Sequence, residues 1–366
     1  MNVLQILPDL NAGGVERTVL ETVEALTAAG HGAHVLSAGG RLVRELEALG
    51  GLHHTADIGS KNILSVPWRI AGVRRLIAKH KIDIVHARSR APAWPAMFAA
   101  RAEKVSFVTT YHGIYNAKSA IKRSYNSVMA KGDVVIANSN FTAKHILKEH
   151  RTDPKRLKII PRGVDMSVFD PEQVSPQDIQ SQRVAWGVKP GESVVVLPGR
   201  LTRWKGQTVA IEALRLAGDT YRLIFVGDAQ GRDDYVEELR AQSNGKNVVF
   251  AGHRTDMNLI YAAADIIICP STDPEAFGRT AAEAQAMNRP VIASDHGGAV
   301  EVVLDGVTGW RVPAGDADAL ATALERVQTL TGVANARDRI AKDYSKMALQ
   351  TALLDVYANC VKPQTM

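Results

Sequence analysis

Cysteine is scarce in this chain of 366 residues, with two in all. Two thiols make no disulfide framework, and Cys269 stands in the apolar run Asp265-Ile-Ile-Ile-Cys269, so a reducing cytoplasm is the expected compartment. Long hydrophobic runs are missing too. No stretch approaches the 18 or so apolar residues that cross a bilayer. The N-terminus enters the strand-like Val3-Leu-Gln-Ile-Leu7 without the basic and apolar segments of a signal peptide, so none is expected. There is no internal repeat or low-complexity block. Clusters of Asp, Glu, His or Cys at ligand spacing are also lacking, and neither an essential metal nor a cofactor is expected. The D-x-D form of Asp316-Ala-Asp318 is read as a helix start ahead of Leu320, Ala323 and Leu324, where Asp is a favoured cap.

Charge is unevenly placed. Residues 1–170 hold 24 Lys and Arg against 14 Asp and Glu, while the remainder holds 20 against 24. The net charge of +6 therefore belongs to the first half, and it implies an acidic partner there: nucleic acid, an anionic membrane surface or a phosphorylated substrate. Two basic helix-like segments stand out. One runs from Trp68 to Lys81 with Arg69, Arg74, Arg75, Lys79 and Lys81; the other runs from Ala117 to Lys131 with Lys118, Lys122, Arg123 and Lys131. In the second, Ala117, Ile121, Tyr125 and Val128 share a face. A solvated basic surface is the alternative to a membrane-facing one.

Short β-like runs alternate with helix-like segments, the pattern of parallel sheets. Strands are expected near 3–7, 33–37, 82–86, 105–110, 134–137 and 157–160, then near 194–197, 222–226, 248–251, 266–269 and 291–293. The fold class is therefore α/β, with two doubly wound domains. Residues 165–190 carry Pro171, Pro176 and Pro190 without clear periodicity, as a linker would. The expected division is a first domain over 1–165, a linker over 166–190, a second domain over 191–343 and a terminal helix over 344–366.

The most informative stretch is Asp273-Pro-Glu-Ala-Phe-Gly-Arg-Thr-Ala-Ala-Glu283. Gly278 permits close backbone approach, and the N–H groups of Arg279, Thr280 and Ala281 open a helix whose positive end seats an anion. Glu275 precedes that seat and Glu283 lies about two turns into the helix, positions suited to hydroxyl groups on either side of a bound phosphate. A nucleotide sugar has this pattern; a solvated helix with two unrelated acids is the plainer reading. In the loop Gly199-Arg-Leu-Thr-Arg-Trp-Lys-Gly206, Arg200 and Lys205 can neutralise a departing diphosphate, or simply face solvent. Gly13 and Gly14 follow the first strand at its carboxyl end, where open α/β sheets bind ligands, although a plain strand–helix turn fits equally well. His112 ends another strand, Arg88 and Arg90 follow a third, and His253, Arg254 and Asp256 follow the turn Phe250-Ala-Gly. Arg88 and Arg90 meet an anionic acceptor or solvent; Asp256 is a candidate helix cap.

The E-x7-E spacing of Glu275 and Glu283, the G-R-x4-K-G run around Arg200 and Lys205, and Arg289-Pro-Val-Ile-Ala-Ser294, Gly297-Gly298, Glu301 and Asp305-Gly306 together resemble the retaining glycosyltransferases of family 4. Two departures are Asn288, where that family usually has Gly, and Arg162 in Pro161-Arg-Gly-Val-Asp165, where it usually has Asn. Asn is the next-best residue for a left-handed helix end, so the first departure should cost little. The resemblance implies a GT-B fold, two facing Rossmann-like domains with a cleft between them, the terminal helix crossing back to the first. It implies a nucleotide-sugar donor, most simply a UDP- or GDP-hexose, and a glycan or lipid-linked acceptor, as in lipopolysaccharide or other cell-envelope synthesis. Under it, Arg200 and Lys205 hold the diphosphate, Glu283 the ribose and Glu275 the sugar hydroxyls. His112 meets the transferred sugar, while Gly13, Gly14, Arg254, Phe277, Gly278, Arg279 and Thr280 line the donor site. The region of Arg162 and Gly163 reads as hinge. Two rivals remain: a nucleotide-sugar epimerase, hydrolase or sugar-phosphate synthase on the same fold, and a non-enzymatic nucleic-acid binder, which no recognised nucleic-acid motif supports.

Overall fold

The computed structural model describes residues 1–361 apart from positions 12, 61, 116–118, 245, 246 and 331. Ala117 and Lys118 of the second basic segment thus lie outside the described residues. Two compact units make up the chain, one from Met1–Gly163 with the stretch from Lys346 onward, the other from Val164–Ser345.

The first unit holds β1 (Asn2–Ile6), β2 (Gly32–Ser37), β3 (Leu52–Thr55), β4 (Ile84–Ala87), β5 (Ser106–Tyr111), β6 (Val134–Ala137) and β7 (Leu157–Ile159). They form one parallel sheet in the order β3-β2-β1-β4-β5-β6-β7. The second unit holds β8 (Ser193–Pro198), β9 (Tyr221–Val226), β10 (Val248–Gly252), β11 (Ile266–Cys269), β12 (Val291–Ser294) and β13 (Gly309–Val312), parallel in the order β10-β9-β8-β11-β12-β13. Central strands such as Val194-Val-Val-Leu197 and Ile266-Ile-Ile268 are buried on both faces and read as unbroken apolar runs. Each sheet reverses its order between the unit's first strand and the strand that crosses to its other side, β1 and β4 in one, β8 and β11 in the other. Open α/β sheets bind ligands outside the carboxyl ends of such a pair.

Helices Val66–His80, Arg90–Ala102 and Asn140–Glu149 cover one face of the first sheet through Val73, Ile77, Met97 and Ile146. Gly14–Ala28 and Lys346–Cys360 cover the other through Val19, Leu20, Leu349 and Leu353. Tyr357 of the last helix reaches the sheet itself, its hydroxyl 2.6 Å from His86 Nδ1.

Several expectations are corrected. Residues 166–190 are not a linker: helix Pro176–Ala185, buried Trp186 and the half-buried Met166, Phe169, Val174 and Ile179 pack into the core of the second unit. Two strands escaped the sequence reading, β3 and β13, each four residues long at a sheet edge, where one-sided burial leaves no apolar run. Asn288 does close its helix in the left-handed region, at φ 54°, and Asp316 does cap, its carboxylate accepting from Ala319 N at 2.9 Å.

Candidate active site

At the order reversal of the second sheet, the loops after β8 and β11 bring a lysine and a glutamate together. Lys205 sits in a 3-10 turn, Arg203–Lys205, and its Nζ donates to Glu275 Oε1 at 2.8 Å. Both side chains are largely withdrawn from water, 13% and 15% exposed. Ser271 Oγ donates to the same carboxylate oxygen at 2.6 Å, and the Glu275 carbonyl accepts from Gly298 N at 2.7 Å. Gly297 is at φ 71°, and a Cβ there would stand 2.5 Å from that carbonyl oxygen, so only glycine lets the loop after β12 brace Glu275. Burial works to raise the Glu275 carboxyl, but the Lys205 charge and the hydrogen bonds from Lys205 and Ser271 outweigh it and hold it below the ordinary value. Glu275 is therefore a fixed anion. The same burial and the nearby Glu275 charge push the Cys269 thiol up to about 12, which leaves it inert.

Eight positions on, Glu283 lies in the helix Arg279–Ala286, an alanine-rich segment of strong intrinsic propensity. Its Oε1 accepts from Arg279 Nε and its Oε2 from Tyr261 OH, both at 3.0 Å. Burial and the Glu283 carboxylate keep the Tyr261 hydroxyl protonated, a permanent donor. No side chain caps this helix; Gly278, at φ 97°, holds the N-cap position. Thr280 is half-buried in its first turn, and Phe277 is buried in the core of the second unit, its ring centroid 5.6 Å from that of Tyr344. Arg200 is exposed, with Nη1 3.4 Å from Gln230 Oε1. Arg254 grips Asp256 through Nε at 2.8 Å and also donates to Gln182 Oε1 at 2.9 Å. Asp256 makes no side-chain cap bond, contrary to expectation, because Arg254 takes its carboxylate; His253 is exposed.

In the first unit, Gly13 and Gly14 follow β1 and open the helix Gly14–Ala28, with Gly13 at φ 139°. The Arg162 guanidinium lies close over Gly14, and its Nη2 donates to the His112 carbonyl at 3.3 Å and lies 3.5 Å from His112 Nδ1. Burial, then the charges of Arg162 and Arg88, hold the His112 imidazole well below its usual value, so it is neutral. Arg88 corrects both of its expected roles. It is buried, donating to Gln5 Oε1 at 2.6 and 3.0 Å and to Thr22 Oγ1 at 2.7 Å, and it meets neither solvent nor acceptor. Arg90 donates to Asn126 Oδ1 at 3.0 Å and stacks 4.3 Å from the Tyr115 ring centroid.

Of the residues singled out in the sequence, the structure pairs Lys205 with Glu275; the further hydrogen-bond partners, Ser271 of Glu275 and Tyr261 of Glu283, were not named by sequence reasoning. Ser271 carried a faint signal, four residues before Glu275; Tyr261 carried none, since it arrives from a separate helix, Met257–Ala263. Among the described residues no three His, Cys, Asp or Glu side chains are grouped to hold a metal ion, and no helix is long and apolar enough to cross a membrane.

Residues 12–168 match the family model described as Glycosyltransferase Family 4, and residues 178–346 match Glycosyl transferases group 1. A curated relative, the D-inositol 3-phosphate glycosyltransferase of Xylanimonas cellulosilytica, is 30% identical over 322 residues, which is 80% of this chain and 76% of the relative. The chain belongs to glycosyltransferase family 4. The chain spans 58% of the length of another such relative, the D-inositol 3-phosphate glycosyltransferase of Mycobacterium marinum. Among solved structures it is similar to a glycosyltransferase from Rickettsia africae ESF-5, with 33% identity, a TM-score of 0.92 and 99% of each chain covered. It is also similar to Anabaena Alr3699/HepE in complex with UDP-glucose, with 26% identity, a TM-score of 0.84, and 98% of this chain and 100% of the other covered. The chain therefore has the two-domain α/β architecture called GT-B.

Proposed function

We propose that the protein is a retaining glycosyltransferase that moves a hexose-type sugar from a nucleoside diphosphate donor to a hydroxyl of a glycan or lipid-linked acceptor. The observation that carries this reading is the Lys205–Glu275 pair at the sheet reversal, with Arg200 on the same loop and Glu283 in the following helix. In the reaction the bond between the sugar's anomeric carbon and the diphosphate oxygen breaks, the acceptor oxygen bonds to that carbon, and the acceptor proton passes to the departing phosphate. No protein nucleophile is assigned, and attack on the face the phosphate leaves accounts for retention. Arg200 and Lys205 stabilise charge growing on the diphosphate. A Lys205 ammonium with one hydrogen bond to Glu275 still has two N–H donors for phosphate oxygens.

Glu275 accepts from hydroxyl groups of the sugar, and its lowered carboxyl keeps it ionised for that task. Glu283, oriented by Arg279 and Tyr261, takes the ribose hydroxyls. Gly278 and the first turn through Thr280 approach the donor through backbone. These two cations supply the positive charge, so no metal or cofactor is assigned. The UDP-glucose bound by the Anabaena neighbour supports a UDP-hexose donor, with a GDP-hexose the other choice. We place the reaction in the cytoplasm, in the synthesis of lipopolysaccharide or another cell-envelope glycan.

A mass-spectrometric screen of UDP-, GDP- and ADP-sugars against lipid-linked and soluble acceptors tests the proposal. A product heavier than the acceptor by one sugar residue is expected, with its anomeric proton in NMR showing the donor's configuration, and its loss in Arg200→Ala. Donor consumption without transfer to any acceptor would favour a hydrolase or epimerase on the same fold.

A further inference from the structure

The first sheet sorts charge between its two helical layers. On one side lie helices Val66–His80, Arg90–Ala102 and Asn140–Glu149, together with Ala120–Asn126, which is tied in by Trp94 Nε1 donating to the Tyr125 carbonyl at 3.1 Å. Histidine aside, these four helices carry ten Lys and Arg and one acidic residue, Glu149. On the other side, Gly14–Ala28, Val43–Ala48 and Lys346–Cys360 carry three basic and six acidic residues. The basic excess of the first half is therefore concentrated on one face.

That face is also apolar where it should be polar. Ile63 is 81% exposed, Leu64 78%, Trp68 74% and Ile121 84%, with Phe98 and Tyr125 exposed as well. Ile63 and Leu64 are held outward by a built turn. Asn62 Oδ1 accepts from Leu64 N at 3.0 Å, while the Arg69 guanidinium donates to the carbonyls of Ile58, Ser60 and Asn62 at 2.8 to 3.1 Å. Arg69 is spent on this scaffold, Arg74 is paired with Glu103 and Arg123 with Glu149, but Arg75, Lys79, Lys122 and Lys144 stand exposed among the apolar side chains.

We propose that this face docks on a bilayer containing anionic phospholipid, with Ile63, Leu64 and Trp68 entering the headgroup boundary and the lysines and arginines meeting phosphates. Exposed apolar side chains of this size on a fixed turn need a water-poor partner, and the surrounding cations select an anionic one. Tryptophan is at home at the headgroup level. Nucleic acid would use the cations but would leave the isoleucine and leucine in water. The inference goes beyond the transfer reaction and does not depend on it.

Co-sedimentation of the full chain with vesicles of phosphatidylcholine, with and without phosphatidylglycerol, tests it across a salt series. Binding should need the anionic lipid and weaken with salt. At about 1 kcal/mol per cation near an anionic leaflet, Arg75→Ala, Lys79→Ala and Lys122→Ala together should lower partitioning about a hundredfold. Ile63→Ser, Leu64→Ser and Trp68→Ser together should lower it about tenfold or more at unchanged charge. Both triple variants should keep the wild-type unfolding midpoint and circular dichroism, which shows that they fold and separates this test from that of the reaction. No binding of the wild type at low salt would overturn the proposal. So would undiminished vesicle binding by the apolar triple variant, or an equal salt-sensitive affinity for a single-stranded nucleic acid that ignores that variant.

Discussion

Replacing Lys205 by alanine should damage both the stability of the second unit and the reaction, and the two effects can be separated. The ammonium sits 2.8 Å from Glu275 Oε1 with little water at either group. Its removal leaves the carboxylate with the Ser271 hydroxyl at 2.6 Å and no opposing charge in contact. Breaking a buried pair from one side costs about 3–5 kcal/mol, and the residual exposure here places the expectation near the lower end, about 3 kcal/mol. For a unit of this size that corresponds to a fall in Tm of about 6–12 °C. Glu275→Gln removes the opposite charge, and the double variant should recover part of the loss, giving a coupling of about 2 kcal/mol in a double-mutant cycle read by thermal or urea unfolding. Additivity within about 0.5 kcal/mol would refute the pairing argument.

The pH dependence has a definite sign. Because the folded chain holds the Glu275 carboxyl below its ordinary value, the unfolded chain binds the proton more readily. The stabilisation is fully present above the ordinary glutamate value of about 4.3 and is lost as pH falls through the lowered folded value. Lys205→Ala should flatten that acid limb. At neutral pH, kcat should fall about a hundredfold or more, with donor affinity less affected, since the lysine is assigned to charge that grows in the transition state.

Glu283→Ala should weaken binding of free nucleoside diphosphate in calorimetry, while Glu275→Ala should spare it and impair transfer; equal loss of nucleotide binding in both would refute their division of labour. Gly278→Ala should destabilise the second unit by about 1–3 kcal/mol and disturb donor binding, because a Cβ at φ 97° would stand 2.9 Å from Ala299 Cα. Unfolding measurements unchanged within about 0.3 kcal/mol would remove the argument for a fixed turn there. His112 should show no imidazole titration near its ordinary value of about 6.5 by NMR, since burial and the charges of Arg162 and Arg88 disfavour its charged form. A resonance that titrates there would mean that the ring is hydrated rather than enclosed.

Much of this molecule was legible in the order of residues. The unbroken runs Val194-Val-Val-Leu197 and Ile266-Ile-Ile268 announced central parallel strands, because a strand buried on both faces must be apolar throughout. The placing of Glu275, Arg200 and Lys205 was legible for a related reason: each lies in a short loop after such a strand, and Glu283 follows in the second turn of the next helix, so chain-local spacing nearly places all four. Asn288 and Asp316 likewise carried their own local geometry, a left-handed helix end and a cap.

Only tertiary structure decided what depends on contacts between distant segments. The edge strands β3 and β13 have little burial to write into a pattern, and the proline-bearing stretch 166–190 folds because the core around Trp186 and Tyr261 accepts it. Arg88 read as an exposed cation from its neighbours in sequence, yet Gln5 and Thr22, brought from β1 and the first helix, satisfy it in the interior. The basic excess of the first half was countable from composition, but its segregation onto one helical layer was not. Which side of a parallel sheet each crossover helix covers is settled by the winding of the chain and the packing of its apolar stripes, and no local window of residues contains that information.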